Sequence, residues 1–183
     1  TYPLGDLSAN SVGLNERHIG RSSSLPSNVF DCSNDPLDLS IETWNNEMND
    51  FELYESTIAT NNITPTDKVC EIGVWAFHNG TRIPASVRDD VAICWRKIDN
   101  YDYPDIFLNS EKSWSENGSS SAYDYQGTIT HEVGHLLGLR HSEDWTFFIS
   151  DRPTMYGAWN IGDYTHMRTL ETDDKNGIQV LYP

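Results

Sequence analysis

The chain has little cysteine. Cys32, Cys70 and Cys94 permit at most one internal disulfide, and none of their spacings is the C-x-x-C of a thiol redox or zinc motif. It has no apolar run near the roughly 18 residues that a membrane-spanning helix needs, so no membrane partner is expected. Basic side chains are also scarce: 12 Lys and Arg stand against 28 Asp and Glu, a formal charge of −16. A surface of that sign repels phosphate backbones, which excludes general nucleic-acid binding. The front of the chain has neither Met nor a charged-then-apolar leader, and Thr1 is expected to follow a removed signal or pro-segment. What is present, 37% hydrophobic residues over 183 positions, suffices for one domain with a buried core.

Residues 1–28 are rich in Ser, Asn, Gly and Leu without periodicity and read as an extended lead-in that wraps the domain. Asn28 to Cys32 reads as a first short strand. Asp35-Pro36 opens a helix over 36–49, because Pro suits the first turn and Leu37, Ile41, Trp44 and Met48 recur at helical spacing. Strands are expected at Phe51 to Thr57, Lys68 to Phe77, Val91 to Ile98 and Ile106 to Asn109. The second of these is apolar enough to be buried on both faces. A Ser/Gly/Asn loop over 115–121 precedes a helix from Tyr125 to Leu139, and Leu170 to Tyr182 reads as a closing helix.

The informative segment is His131-Glu132-Val133-Gly134-His135-Leu136-Leu137-Gly138-Leu139-Arg140-His141. On a helix, His131 and His135 project from one face and can grip one ion, while Glu132 points beside it. Gly138 would end the helix in a left-handed turn and bring His141 back as a third ligand. Zinc held by three imidazoles keeps an open position for water, whose proton a neighbouring carboxylate can take. Shuffling this composition yields the short H-E-x-x-H pattern with probability about 0.01, and the long pattern about 2 times in 100,000. The long pattern therefore carries the inference.

This segment resembles the metzincin zinc peptidases, whose long motif is followed by a turn bearing Met beneath the metal. Pro153-Thr154-Met155-Tyr156-Gly157 stands where that turn belongs, with Met155 14 residues after His141. Ser142 after the third His is similar to the matrixins, where astacins carry Glu, adamalysins Asp and serralysins Pro. Asp124-x-Gln126 before the helix and Leu170-x-x-Asp173-Asp174-x-x-Gly177-Ile178-Gln179-x-Leu181-Tyr182 at the end extend the resemblance. In that family the two aspartates anchor a mature N-terminus and the Met-turn, roles that would fall to Asp173 and Asp174.

The resemblance implies an α/β (α+β) metzincin fold: a twisted five-stranded mixed sheet, two long helices, and a small C-terminal lobe with the Met-turn and final helix. Residues 1–183 would form a single catalytic domain, with subdomains 1–138 and 139–183. Val91 to Ile98 would be the antiparallel edge strand and receive an extended peptide by strand addition. The Ile106 strand would separate Cys70 from Cys94 by two strand spacings, about 9.5 Å, which disfavours a bridge. Gly157-Ala158-Trp159 would form the outer wall of the pocket for the side chain just beyond the scissile bond. Trp145, Phe147 and Phe148 would line its bottom, selecting a large apolar residue.

The implied activity is secreted, zinc-dependent endopeptidase action on extracellular proteins. His131, His135 and His141 would be the ligands of one catalytic Zn2+, and Glu132 the general base toward a zinc-bound water. Substrates would be extended proteins or peptides, and the chain a monomer. A second, structural zinc is not expected, because His78 is followed by no further His until His131, and His18 and His166 are isolated. Ca2+ is a candidate at Asp89, Asp90, Asp99, Asp102 and Asp105. The alternatives are an astacin- or serralysin-like peptidase and a non-catalytic zinc-held peptide-binding module.

Overall fold

Helix boundaries follow from side chains that satisfy the first backbone donors. A computed structural model describes residues 16–22, 35–49, 51–60, 70–75, 77–78, 83–95, 105–143 and 148–183. Helix α1 (Pro36–Asn45) starts where the Asp35 carboxylate accepts from the Leu37 N–H at 2.8 Å. It stops short of the expected residue 49 because the Asn45 side chain leaves the helix pattern to bond both the N–H and the carbonyl of Leu53. Helix α2 (Tyr125–Leu136) is capped by Asp124, whose Oδ1 accepts from the Gly127 N–H at 2.9 Å. Helix α3 (Thr172–Leu181) begins with a reciprocal capping box between Glu171 and Asp174, which leaves Leu170 outside it.

The strands are β1 (Glu16–Ser22), β2 (Glu52–Thr60), β3 (Cys70–Trp75), β4 (Ala92–Trp95) and β5 (Asp105–Asn109). They form one sheet in the order β2-β1-β3-β5-β4. All pairings are parallel except β4 with β5, where Ile93 faces Phe107 and Cys94 faces Ile106. A short parallel pair, β6 (Trp114–Ser115) and β7 (Tyr123–Asp124), brackets the Ser/Gly/Asn loop. Strand β5 therefore lies between the strands of Cys70 and Cys94, as the resemblance implied. Cys32 lies outside the described residues.

One expectation fails in the first third. Glu16–Ser22, read from sequence as part of an extended lead-in, is an interior strand paired on both sides. Its polar sequence hides this, because the ladder with β2 and β3 is made by backbone groups and needs no apolar run. The strand expected over 28–32 lies outside the described residues.

Both long helices pack against one core. Leu37, Ile41 and Trp44 of α1 and Ile129, Val133 and Leu136 of α2 share it with Ile72, Ile106 and Leu108 of the sheet. The helices are also joined by polar contacts: Trp44 Nε1 donates to the Thr130 carbonyl at 2.8 Å, and Thr130 Oγ1 bonds Ser40 Oγ at 2.9 Å. All five residues of β5 are buried, as are Ile72 and Gly73 of the central strand β3. Ile178 of α3 is fully buried in the same cluster, which ties the last helix to the first.

Candidate metal centre

Helix α2 presents His131 and His135 one turn apart. It ends in a left-handed Gly138, φ 106°, with the Gly138 N–H bonded to the His135 carbonyl and the Leu139 N–H to the Gly134 carbonyl. That pair of bonds is a Schellman closure, and only glycine adopts its φ without steric cost. The chain reverses there and His141 arrives beside the other two. One nitrogen from each of the three imidazoles lies within 4.8 Å of the others, and His131 Nε2 and His141 Nε2 approach to 3.2 Å.

The donor set fits a zinc ion. His131 Nδ1 faces the Thr154 carbonyl at 2.6 Å and His135 Nδ1 faces the Leu139 carbonyl at 2.9 Å, so each of these nitrogens carries the proton. Their Nε2 lone pairs are left to converge, the second-shell arrangement that metal-binding imidazoles use. Burial pushes His131 well below the ordinary imidazole range, His135 down to about 4, and His141 lower as well. The three rings are thus neutral at neutral pH, as ligation requires.

Beside the triad, Glu132 is 5% exposed and its Oε2 has no hydrogen-bond partner. Desolvation pushes its carboxyl up to about 8, partly opposed by a hydrogen bond from the Cys94 backbone on β4. Beneath lies Met155, 2% exposed, and a Cβ on Gly134 would fall 2.3 Å from its Sδ, so the helix must be bare there. The Met-turn is held from α3. Asp174 accepts from the N–H groups of Thr154 (2.7 Å), Met155 (2.9 Å) and Glu171 (2.9 Å). Asp173 accepts from Ser142 Oγ at 2.5 Å, so it holds the residue after the third His. Thr1 lies outside the described residues.

Sequence comparison supplies a further finding: residues 98–183 match the family model described as matrixin. Those residues, somewhat under half of the chain, are similar to the matrixins. Human matrilysin is 35% identical over 78 residues, covering 43% of this chain and 26% of that protein. Metalloendoproteinase 1 of Glycine max is 35% identical over 81 residues, covering 41% of this chain and 24% of that protein. Matrilysin of Rattus norvegicus is 33% identical over 78 residues, with 43% and 26% covered. The aligned part of the chain thus spans about a quarter of the length of these relatives. The match favours the matrixin reading over the astacin and serralysin alternatives.

Beside His131 and His141 of the triad opens a cavity of about 280 Å³. Glu132, His131 and His141 line it together with Tyr156, Gly157 and Trp159. Ala158, expected in the wall, is exposed and does not line it. Gly157 is confined: a Cβ there would come within 2.9 Å of His141 Nδ1. Trp145 and Phe147, expected at the bottom, lie outside the described residues. Phe148 is 65% exposed and is not part of the lining.

Tyr164 and Met167, which the sequence reading missed, line this cavity together with Thr128. They sit on a 3-10 helix, Tyr164–Arg168, fixed by Arg168, whose Nε donates to Asp124 Oδ1 at 2.8 Å. Their spacing of three residues was the available signal. Asp89 and Asp90 reach the cavity rim, Asp105 is buried in β5, and Asp99 and Asp102 lie outside the described residues. Among the described residues, the histidine triad is the one group of three metal-binding side chains that converges. His78 contacts Glu111 and lies 3.5 Å from Asp89, and His166 is exposed; neither joins the triad.

Proposed function

We propose that the chain is a secreted, zinc-dependent endopeptidase domain of matrixin type, with the metzincin fold, acting on extended protein or peptide substrates. The observation that carries this is the pairing of three converging neutral imidazoles with a buried carboxyl group whose Oε2 lacks a partner and which shares a cavity with His131 and His141. A metal-held scaffold would need the histidines alone, and burying a carboxylate without a partner costs stability that a scaffold has no use for. Cavity residues come from both sides of Gly138, which supports one catalytic domain made of lobes 1–138 and 139–183.

In this reading His131, His135 and His141 hold one zinc ion, which when bound supplies Lewis-acid polarisation of the scissile carbonyl and acidifies a water. With the charge of a bound ion beside it to favour the ionised carboxylate, Glu132 would take the proton of the attacking water and later pass it to the leaving amine. Thr154 and Leu139 carbonyls orient two of the imidazoles, and Asp174 holds the turn that carries Met155 beneath them. Strand β4 pairs on one side with β5, and its other side is the place for an extended peptide beside Glu132.

The test is Glu132→Ala. It should keep zinc and fold yet lose about 10²- to 10⁴-fold in kcat, because the ligands stay while the proton acceptor goes. A variant keeping more than about a tenth of wild-type kcat would sink the mechanism. Full zinc occupancy with no hydrolysis in the wild-type protein would favour the non-catalytic module.

A further inference from the structure

Arg152 precedes the Met-turn and is only 8% exposed; its backbone N–H donates to the Ile149 carbonyl, yet among the described residues its side chain makes no ion pair and no hydrogen bond, and its Nε is buried without a partner. What touches the cation is aromatic. Its guanidinium carbon lies 4.9 Å from the Tyr156 ring centroid and 5.4 Å from that of Trp159. The two rings meet edge to face at 6.3 Å. Both also line the cavity that holds Glu132 and His141, whereas Arg152 does not. Trp159 has no polar tether of its own, since its buried Nε1 lacks a partner. Ring contacts therefore decide where its indole stands.

We propose that Arg152 is a positioning residue that sets the substrate pocket's outer wall by holding Trp159 and Tyr156 against one planar cation, and that it thereby tunes selectivity for the residue beyond the cut. The inference rests on the peptidase reading of the cavity. A guanidinium can lie flat against one ring while meeting a second, which an ammonium on a flexible stem cannot reproduce. Cation–π contacts removed from water are worth enough to fix a side chain with no hydrogen bond of its own.

The experiment compares kcat/KM for two peptides that differ only after the cut, one with Leu and one with Ala, in the zinc-loaded protein. Arg152→Met should lower the Leu-over-Ala ratio by about fivefold, through KM and with kcat little changed. Arg152→Lys should restore part of it. In a Trp159→Ala background the Arg152→Met change should have no further effect on the ratio, because the residue acts through the indole. An unchanged ratio in Arg152→Met, equal losses in the Lys and Met variants, or additive losses in the double variant would each overturn the proposal. Should Arg152→Met fail to fold, Arg152→Gln runs the same cycle. A wild-type protein that cleaves both peptides with a ratio indifferent to Arg152 refutes this inference alone. One that holds zinc and cleaves neither refutes the peptidase reading and this inference with it.

Discussion

At the scale of single residues, the centre is built from side chains whose partners are backbone groups. Asp174 is the clearest case, since one carboxylate takes three N–H donors from the Met-turn and its own helix entry. Burial pushes its acidity down despite those donors, which shows how enclosed it is. Asp174→Ala would leave those donors without their acceptor and should cost about 3 kcal/mol, measured by urea unfolding at fixed zinc. A loss below about 1 kcal/mol would mean that water replaces the carboxylate. His141→Ala should lose zinc as well as activity, and metal analysis after dialysis reads the difference directly. Equal occupancy would place the third ligand elsewhere. The triad was legible in sequence because helical periodicity and one obligatory left-handed glycine fix three positions within eleven residues. The pocket floor was not, since Tyr164 and Met167 come from a short irregular segment whose only route to the cavity is tertiary packing.

At the scale of elements, close approaches decide what can stand next to what. A Cβ on Gly127 would fall 1.9 Å from the Tyr164 carbonyl oxygen, a backbone atom that cannot swing aside. Gly127→Ala should therefore push the Tyr164–Arg168 turn off α2, costing about 3 kcal/mol in denaturant and weakening substrate binding more than the same change at an open helix position. Stability within about 0.5 kcal/mol of wild type would refute that packing. Helices α1, α2 and α3 were foreseen to within a few residues, because each carries a capping residue and an apolar stripe. Strand β1 was hidden: Glu16–Ser22 earns its place through backbone ladders on both flanks, and a sequence pattern reports side chains only.

At the scale of the whole molecule, the antiparallel edge place of β4 and the position of β5 between β3 and β4 matched what the family resemblance implied, whereas residue spacing alone would not have ordered the sheet. Zinc should be a stabiliser of this whole. A ligand bound only by the native state at 100 times its Kd adds about 2.7 kcal/mol, so chelation should lower the melting temperature and zinc should restore it. An unchanged melting temperature would show that no metal is held by the native fold. Elemental analysis is expected to find one zinc per chain.

Strand β4 has one further consequence on the peptidase reading. A guest lying beside it must present its own backbone amides, and a helix or a tight turn has already committed those groups to internal partners. The enzyme would then discriminate by conformation before chemistry: a favoured sequence inside a folded segment stays intact until that segment melts, and cleavage maps slack in the target.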